Sequence, residues 1–170
     1  MSSGRRILVV YYSRTGHTAR VAKDIAARLN ADVEEVRERR PRPGFVGYLR
    51  GCYDSLRKQV TEIEEPQRSP VDYSLIIVGT PVWVWDMTPA IRSYLQWARG
   101  RARAIAFFVT SGDTDVQKIA PALENAVNNK PIASTGLNER ELKNPVEYEK
   151  KVTTFVANLQ QSLTAKTLEA

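Results

Sequence analysis

Short apolar runs alternate with amphipathic stretches along most of the chain. Three runs are unbroken and rich in strand-forming residues, and they predict strands buried inside a sheet: residues 7–12, 75–78 and 104–109. Residues 32–37 alternate valines with charges, which predicts a strand nearer an edge, and residues 132–134 form a shorter candidate. The pattern therefore predicts five strands.

Between these runs, apolar residues recur at three- and four-residue steps, which predicts helices. The first helix follows residue 18, where one face carries Val21, Ala22, Ile25, Ala26 and Leu29. Another begins at the Thr88-Pro89 pair, an N-cap followed by a first-turn proline. Three more are predicted over residues 45–58, 116–128 (bent at Pro121) and 145–163. Residues 1–5 and 164–170 are expected to fray.

Strand and helix alternate about five times, which is typical of a doubly wound α/β fold with a parallel sheet and helices on both faces. A length of 170 residues suits a single domain over residues 1–170. Such folds bind ligands at the carboxyl ends of their strands. Three of the predicted strand ends carry unusual loops, at residues 13–18, 80–87 and 110–115.

The first loop has the composition of an anion site. Ser13, Thr15 and Thr18 supply hydroxyls, and Gly16 permits a close backbone approach just before a helix, whose first N–H groups have no internal partner. The same residues also serve as ordinary turn and cap residues, so this loop alone leaves both interpretations open. The motifs of P-loop nucleoside triphosphatases and of dinucleotide-binding folds are absent, and the loop has no cysteine for a phosphatase.

The other two loops complement the first. Residues 80–87 include Trp83 and Trp85, two flat aromatic side chains that either pack in the core or contact a planar ring. Residues 110–115 are small and polar and include Gly112. A phosphate at one strand end and a planar ring at another describe a mononucleotide-type ligand.

Composition removes several function classes. The apolar runs are far shorter than the ~20 residues of a membrane helix, and the first is too short for the core of a signal peptide. We therefore expect a cytoplasmic protein without a membrane span. Cys52 is the only cysteine, expected in the core, and His17 is the only histidine, which excludes an internal disulfide and a Cys/His zinc site. We predict no metal site and assign no catalytic side chain.

The formal net charge is +6 and the sequence pI is about 9.6. Arginines cluster at Arg37, Arg39, Arg40 and Arg42 and again at Arg99, Arg101 and Arg103. Such clusters are solvated faces or bind acidic proteins, anionic lipid or nucleic acid. No RNA-binding signature of interleaved aromatic residues accompanies them, so the pattern does not favour nucleic acid as a partner.

Three motifs together resemble the flavodoxin-like family. The stretch SRTGHT at residues 13–18 matches the family's Ser/Thr-x-Thr-Gly-x-Thr phosphate loop, YSLIIVGTPVW at 73–83 resembles its third strand and flavin-ring loop, and FFVTSG at 107–112 resembles its fourth strand and third loop. The similarity runs from about residue 6 to residue 159. The basic charge departs from the usually acidic electron-shuttling flavodoxins, and residues 44–58 look like an extra helical insert.

The resemblance implies a five-stranded sheet in the order 2-1-3-4-5, the short-chain form of the fold, and bound FMN. It also implies the cofactor-binding residues: Ser13, Arg14, Thr15, Gly16, His17 and Thr18 in the first loop, Pro81, Val82, Trp83, Val84 and Trp85 in the second, and Thr110, Ser111, Gly112 and Asp113 in the third.

Two functions stay open at this point. The first is an FMN redox protein, either an electron carrier or an NAD(P)H oxidoreductase that reduces a quinone-like acceptor. Its partner would be a small molecule or a protein with an acidic face, because like charges repel a basic one. The second is a non-catalytic binding module whose basic surface takes an acidic protein or nucleic acid, since a fold alone does not determine a function.

Overall fold

The computed structural model describes residues 6–40, 47, 53, 57, 59–113 and 115–168. Its centre is a sheet whose strands are β1 (Ile7–Tyr11), β2 (Asp32–Glu35), β3 (Leu75–Trp83), β4 (Asp86–Met87), β5 (Ile105–Ser111) and β6 (Ser134–Asn138). Five strands pair in parallel in the order β2-β1-β3-β5-β6, and the two-residue β4 pairs antiparallel with the end of β3. The predicted order 2-1-3-4-5 is confirmed for the parallel strands, and β4 is an addition.

The helices are α1 (His17–Leu29), α2 (Pro89–Ala98), α3 (Val116–Val127), α4 (Glu139–Lys143) and α5 (Pro145–Leu168), with a 3₁₀ turn at Pro70–Asp72. Thr88 caps α2 as predicted, because its hydroxyl accepts from the Ile91 N–H at 3.5 Å. Pro121 lies inside α3. None of the described helices is long and apolar enough to cross a membrane.

Alternation along the strands divides the core between the two faces of the sheet. On β1, Val9 packs with α1 and α5, whereas its neighbours Leu8 and Val10 pack with α2 and α3. On β5, Phe108 joins the first group and Phe107 the second. All five side chains are fully buried. Because helices cover both faces of these strands, none of their side chains faces solvent, and the runs are therefore continuously apolar.

Phe108 lies across Gly79 of the adjacent β3, its partner in the strand register. A methyl group at residue 79 would overlap the Phe108 ring. The glycine therefore makes room for a large aromatic side chain in the middle of the sheet.

Several predicted boundaries were wrong. The third strand continues to Trp83 instead of ending at residue 78, and the fourth reaches Ser111. The last strand covers Ser134–Asn138 instead of residues 132–134, because a parallel ladder to β5 holds a segment with little apolar character. The last helix continues to Leu168, five residues beyond the predicted end.

The predicted helix over residues 45–58, and Cys52 with it, falls almost wholly outside the described residues, as do residues 1–5 and 169–170. Arg42 of the first arginine cluster and Thr114 of the third loop also lie outside them.

Candidate functional site

The three predicted loops meet at one open cleft of about 390 Å³ at the carboxyl ends of the strands. The parallel pairing of β1, β3 and β5 brings these strand ends to the same edge of the sheet. The residues that line the cleft are Thr15, His17, Pro81, Val82, Trp83, Thr110, Ser111, Gly112, Glu139 and Leu142. Eight of them were predicted as site residues, and Glu139 and Leu142 were not.

At one end of the cleft, the first loop leads into α1 without a side-chain cap. Gly16 occupies the N-cap position with a φ of 89°, a left-handed conformation that favours glycine. Ser13 Oγ accepts from the Gly16 N–H at 3.2 Å, which leaves the Ser13 hydroxyl hydrogen free for another acceptor. Arg14, Thr15 and His17 are exposed. The uncapped first turn of α1 is therefore open to an anion.

Thr18 differs from its predicted role as an open hydroxyl donor. Its side chain is buried below the cleft, and its Oγ1 lies 2.8 Å from Thr110 Oγ1. Only one hydrogen of the pair is used between the two hydroxyls. The contact joins the first loop to the third across 92 positions of sequence.

At the other end, the second loop is a tight hairpin between β3 and β4. Val84 and Trp85 form its turn with φ values of 49° and 58°. Two successive positive φ values suit the two-residue hairpin turns, but they strain a β-branched residue such as Val84. Val82 pairs with Met87 and Trp83 with Asp86. The sequence showed no glycine or asparagine to indicate this turn.

The two tryptophans of the hairpin have different environments. Trp83 lines the cleft, is 6% exposed and meets the Tyr12 ring edge-on at 5.7 Å. Trp85 is 72% exposed and, like Val84, lies outside the cleft lining. Trp83 is therefore the better placed of the two to contact a planar ligand.

A buried ion pair anchors the hairpin from behind. Arg92 of α2 donates from Nη2 to Asp86 Oδ2 at 2.5 Å, and both side chains are largely excluded from solvent. Asp86 Oδ1 also accepts from the Met87 N–H at 2.7 Å. The buried Arg92 Nε has no hydrogen-bond partner, so Asp86 carries most of the compensation for this guanidinium. No local pattern in the sequence indicates this pair.

The third loop contributes to two neighbouring cavities. Thr110, Ser111 and Gly112 line the cleft, whereas Asp113 lines an adjacent polar cavity of about 340 Å³ together with Lys151. The structure thus separates Asp113 from the other predicted residues of this loop.

Helix α4 closes the remaining side of the cleft. Asn138 caps it through a reciprocal capping box, in which Asn138 Oδ1 accepts from the Glu141 N–H and Glu141 Oε2 accepts from the Asn138 N–H. Arg20 of α1 donates to the Leu142 carbonyl at 3.0 Å. The Asn-x-x-Glu pattern was a readable signal for this helix start.

No protein-family model matches the sequence. Among solved structures, a flavoprotein from Lactobacillus acidophilus NCFM in complex with FMN superposes with a TM-score of 0.70 at 20% identity, over 82% of this chain and 97% of that one. A putative flavoprotein from Bacteroides uniformis ATCC 8492 gives a TM-score of 0.69 at 21% identity, over 83% and 97%. A flavodoxin from the domain Archaea gives 0.53 at 13%, over 92% and 98%. The chain has a flavodoxin-like fold.

Within this flavodoxin-like fold, the two arginine clusters lie at opposite ends of the sheet. Arg37, Arg39 and Arg40 are exposed after β2, at the same edge as the cleft, since β2 runs parallel to β1. Their backbone pairs with a segment that carries exposed glutamates: Arg39 N donates to Glu62 O, and Glu64 N donates to Arg37 O. Among the described residues at this edge, exposed arginines therefore lie beside exposed glutamates.

The second cluster has a different setting. Arg99, Arg101 and Arg103 are exposed in the connection from α2 to the amino end of β5, which is the edge opposite the cleft. The sequence has no acidic residue between Asp86 and Asp113. This segment therefore places three exposed arginines at the end of the strands opposite the cleft.

The ionisable side chains of the cleft are His17 and Glu139. The Lys143 ammonium, 2.6 Å from Glu139 Oε1, lowers the pKa of that carboxyl, and His17 adds a smaller contribution in the same direction. Within the described ranges, no group of three or more His, Cys, Asp or Glu side chains is placed to hold a metal ion.

Proposed function

We propose that this protein binds FMN in the cleft and uses it to transfer electrons to a small acceptor of the quinone type. The observation that carries the proposal is the cleft itself, which joins an uncapped helix N-terminus at one end to a buried tryptophan at the other. A flavoprotein of the same fold is known in complex with FMN, which supports the choice of cofactor.

The residues at the first loop fit the phosphate of FMN. A phosphate accepts hydrogen bonds and carries negative charge, and both suit the first amides of α1 and the positive end of its dipole. Ser13 and Thr15 would add hydroxyl donors, and Gly16 keeps the approach free of a side chain. Arg14, His17 and the Thr18 backbone belong to the same turn.

The opposite end fits the isoalloxazine ring. Trp83 would flank the ring together with Pro81 and Val82, and the third loop would supply backbone groups from Ser111 and Gly112. Bound flavin supplies the electron-transfer chemistry, whereas the protein positions the ring and sets its surroundings. No side chain is given a catalytic role.

The distribution of charge favours a small acceptor over an acidic partner protein. Among the described residues at the cleft edge, exposed arginines lie beside exposed glutamates, and the arginines at residues 99, 101 and 103 lie at the opposite end of the strands. Electrostatic steering of a protein partner to the cleft needs a continuous patch of one sign near it. Reduction of a neutral quinone needs none, and its rate should be nearly independent of ionic strength.

FMN and riboflavin titrations of the apo-protein, followed by flavin fluorescence, test the cofactor. Ser13→Ala combined with Thr15→Ala should weaken FMN by about 1–3 kcal/mol for each charge-assisted bond lost. It should leave riboflavin, which has no phosphate, unchanged. Thr164→Ala removes an exposed hydroxyl of α5 as a matched control. Equal affinity for FMN and riboflavin in the unmodified protein would exclude the phosphate assignment.

The acceptor is tested by NADH or NADPH oxidation with a soluble quinone over a range of salt concentrations. Turnover that is steady with salt supports the small-molecule assignment. A protein without flavin affinity, but with salt-sensitive binding to an acidic protein or to duplex DNA, would instead support the binding-module function.

A further inference from the structure

Glu139 places a carboxylate in the same cleft as the proposed phosphate site. Among the described residues that line the cleft, Glu139 is the acidic one, and it shares that lining with Thr15 and His17 of the first loop. An anion bound at the start of α1 therefore has a negative side chain as a neighbour.

The position of Glu139 is set by the fold. It is the first residue of α4, directly after β6, whose last residue Asn138 pairs in register with Ser111 of the third loop. The bond from Arg20 to the Leu142 carbonyl holds α4 against α1. The Arg20 guanidinium also lies over the Tyr148 ring at 4.2 Å, which fixes it from the other side. The helix that carries the Glu139 carboxylate is therefore held in place by α1 on one side and by the pairing of β6 with β5 on the other.

Glu139 is negatively charged at neutral pH. Its pKa lies below the usual value because Lys143 Nζ donates to Oε1 at 2.6 Å. This ion pair is exposed, with 69% and 59% of the two side chains accessible, so solvent screens it considerably. The ammonium of Lys143 thus offsets the carboxylate only in part.

Helix stability explains an acidic residue here only incompletely. An acidic residue in the first turn stabilises a helix through the dipole. In α4, however, Glu141 also lies in the first turn and forms the capping box with Asn138. The start of the helix is therefore already capped, whereas Glu139 lines the cleft and its carboxyl is close enough to His17 for the two to interact electrostatically.

We propose that Glu139 limits the affinity of the cleft for phosphorylated flavin, and that Lys143 tunes this effect by pairing with it. This inference rests on the proposed function. The Glu139 carboxylate repels the phosphate of FMN but not the uncharged flavin ring. Glu139 therefore lowers the affinity for FMN relative to the affinity for riboflavin. A cofactor held against such a charge exchanges more readily than one held by the first loop alone.

The test measures FMN and riboflavin dissociation constants for the full chain and three variants. At low salt, Glu139→Gln should tighten FMN about two- to fivefold, the range of a single exposed charge interaction. Lys143→Gln should weaken FMN by a similar factor. Riboflavin should bind all variants equally, which also verifies that each one is folded. Glu147→Gln makes the same change of charge on α5, outside the cleft lining, and should change neither constant.

Ionic strength supplies a second readout. The difference between the unmodified protein and Glu139→Gln should shrink as salt approaches 1 M, where the screening length is only about 3 Å. Unchanged or weaker FMN binding in Glu139→Gln, with riboflavin still bound, would overturn this inference and leave the proposed function intact. An equal gain for riboflavin would assign Glu139 a steric effect instead. Failure of the unmodified protein to bind either flavin would overturn both proposals.

Discussion

The buried ion pair behind the hairpin predicts an asymmetric response to mutation. Asp86→Ala removes the carboxylate that compensates the Arg92 guanidinium, whose Nε already has no hydrogen-bond partner. A charge left buried without its partner typically costs about 3–5 kcal/mol. The acceptor for the Met87 N–H is lost as well, although that contribution, about 1 kcal/mol, is contained within the same range.

The double variant Asp86→Ala/Arg92→Met should recover most of this loss. Methionine fills much of the volume of the arginine stem and brings no charge, and replacing a buried pair by apolar side chains is often neutral. The ion pair would then contribute less to the net free energy of unfolding than the cost of removing Asp86 alone suggests. Its role would be to hold the hairpin that carries Trp83 against α2.

Urea denaturation monitored by circular dichroism measures both effects. Lys143→Ala is the control, because it breaks an exposed ion pair on α4 that solvent screens, and it should lower the free energy of unfolding far less than Asp86→Ala does. In a thermal scan, Asp86→Ala should lower Tm by roughly 10 °C for a chain of this size. A cost for Asp86→Ala equal to that of Lys143→Ala, or a double variant as unstable as the single one, would refute the reasoning.

Four further substitutions test the geometry around the cleft. Gly79→Ala should destabilise the protein by about 1–3 kcal/mol, because the new methyl overlaps the Phe108 ring, and a denaturation midpoint unchanged within error would contradict this. Val84→Asn should raise the free energy of unfolding by up to about 1 kcal/mol, because asparagine tolerates a positive φ better than a β-branched residue does. A lower free energy of unfolding would mean that the contacts of the valine side chain outweigh the backbone strain. Thr18→Val and Thr110→Val should each lower the free energy of unfolding by about 1 kcal/mol, because each leaves the other hydroxyl without its partner. The double variant should lose less than the sum of the two, and strict additivity in a double-mutant cycle would rule out the hydrogen bond.

The sequence predicted the parts of the fold that depend on periodicity. The run at β1 is fully buried and the amphipathic α1 follows it, because a doubly covered sheet requires continuous apolar strands and one-sided helices. The predicted position of the last strand was wrong, because the sequence of β6, STGLN, has little apolar character. That segment is a strand because the edge of β5 offers it a ladder, which is a tertiary effect that no local window contains.

The residues of the candidate site were also predicted only in part. The first loop and Trp83 followed from residue type, since hydroxyls, glycine and aromatics have recognisable chemistry at strand ends. The hairpin turn at Val84 and Trp85 was missed because neither residue favours a positive φ. Glu139 was missed because only the three-dimensional position of α4 brings it to the cleft.

The order in which the cleft is assembled along the chain has a consequence for biosynthesis. Its lining begins at Thr15 and ends at Leu142, so a nascent chain holds no complete cleft until residue 142 has been synthesised. The parallel ladder from β5 to β6 must also form, and such non-local pairings are slow. A ligand can therefore occupy the complete cleft only after residue 142 has been synthesised, and each new molecule first exists without a complete site.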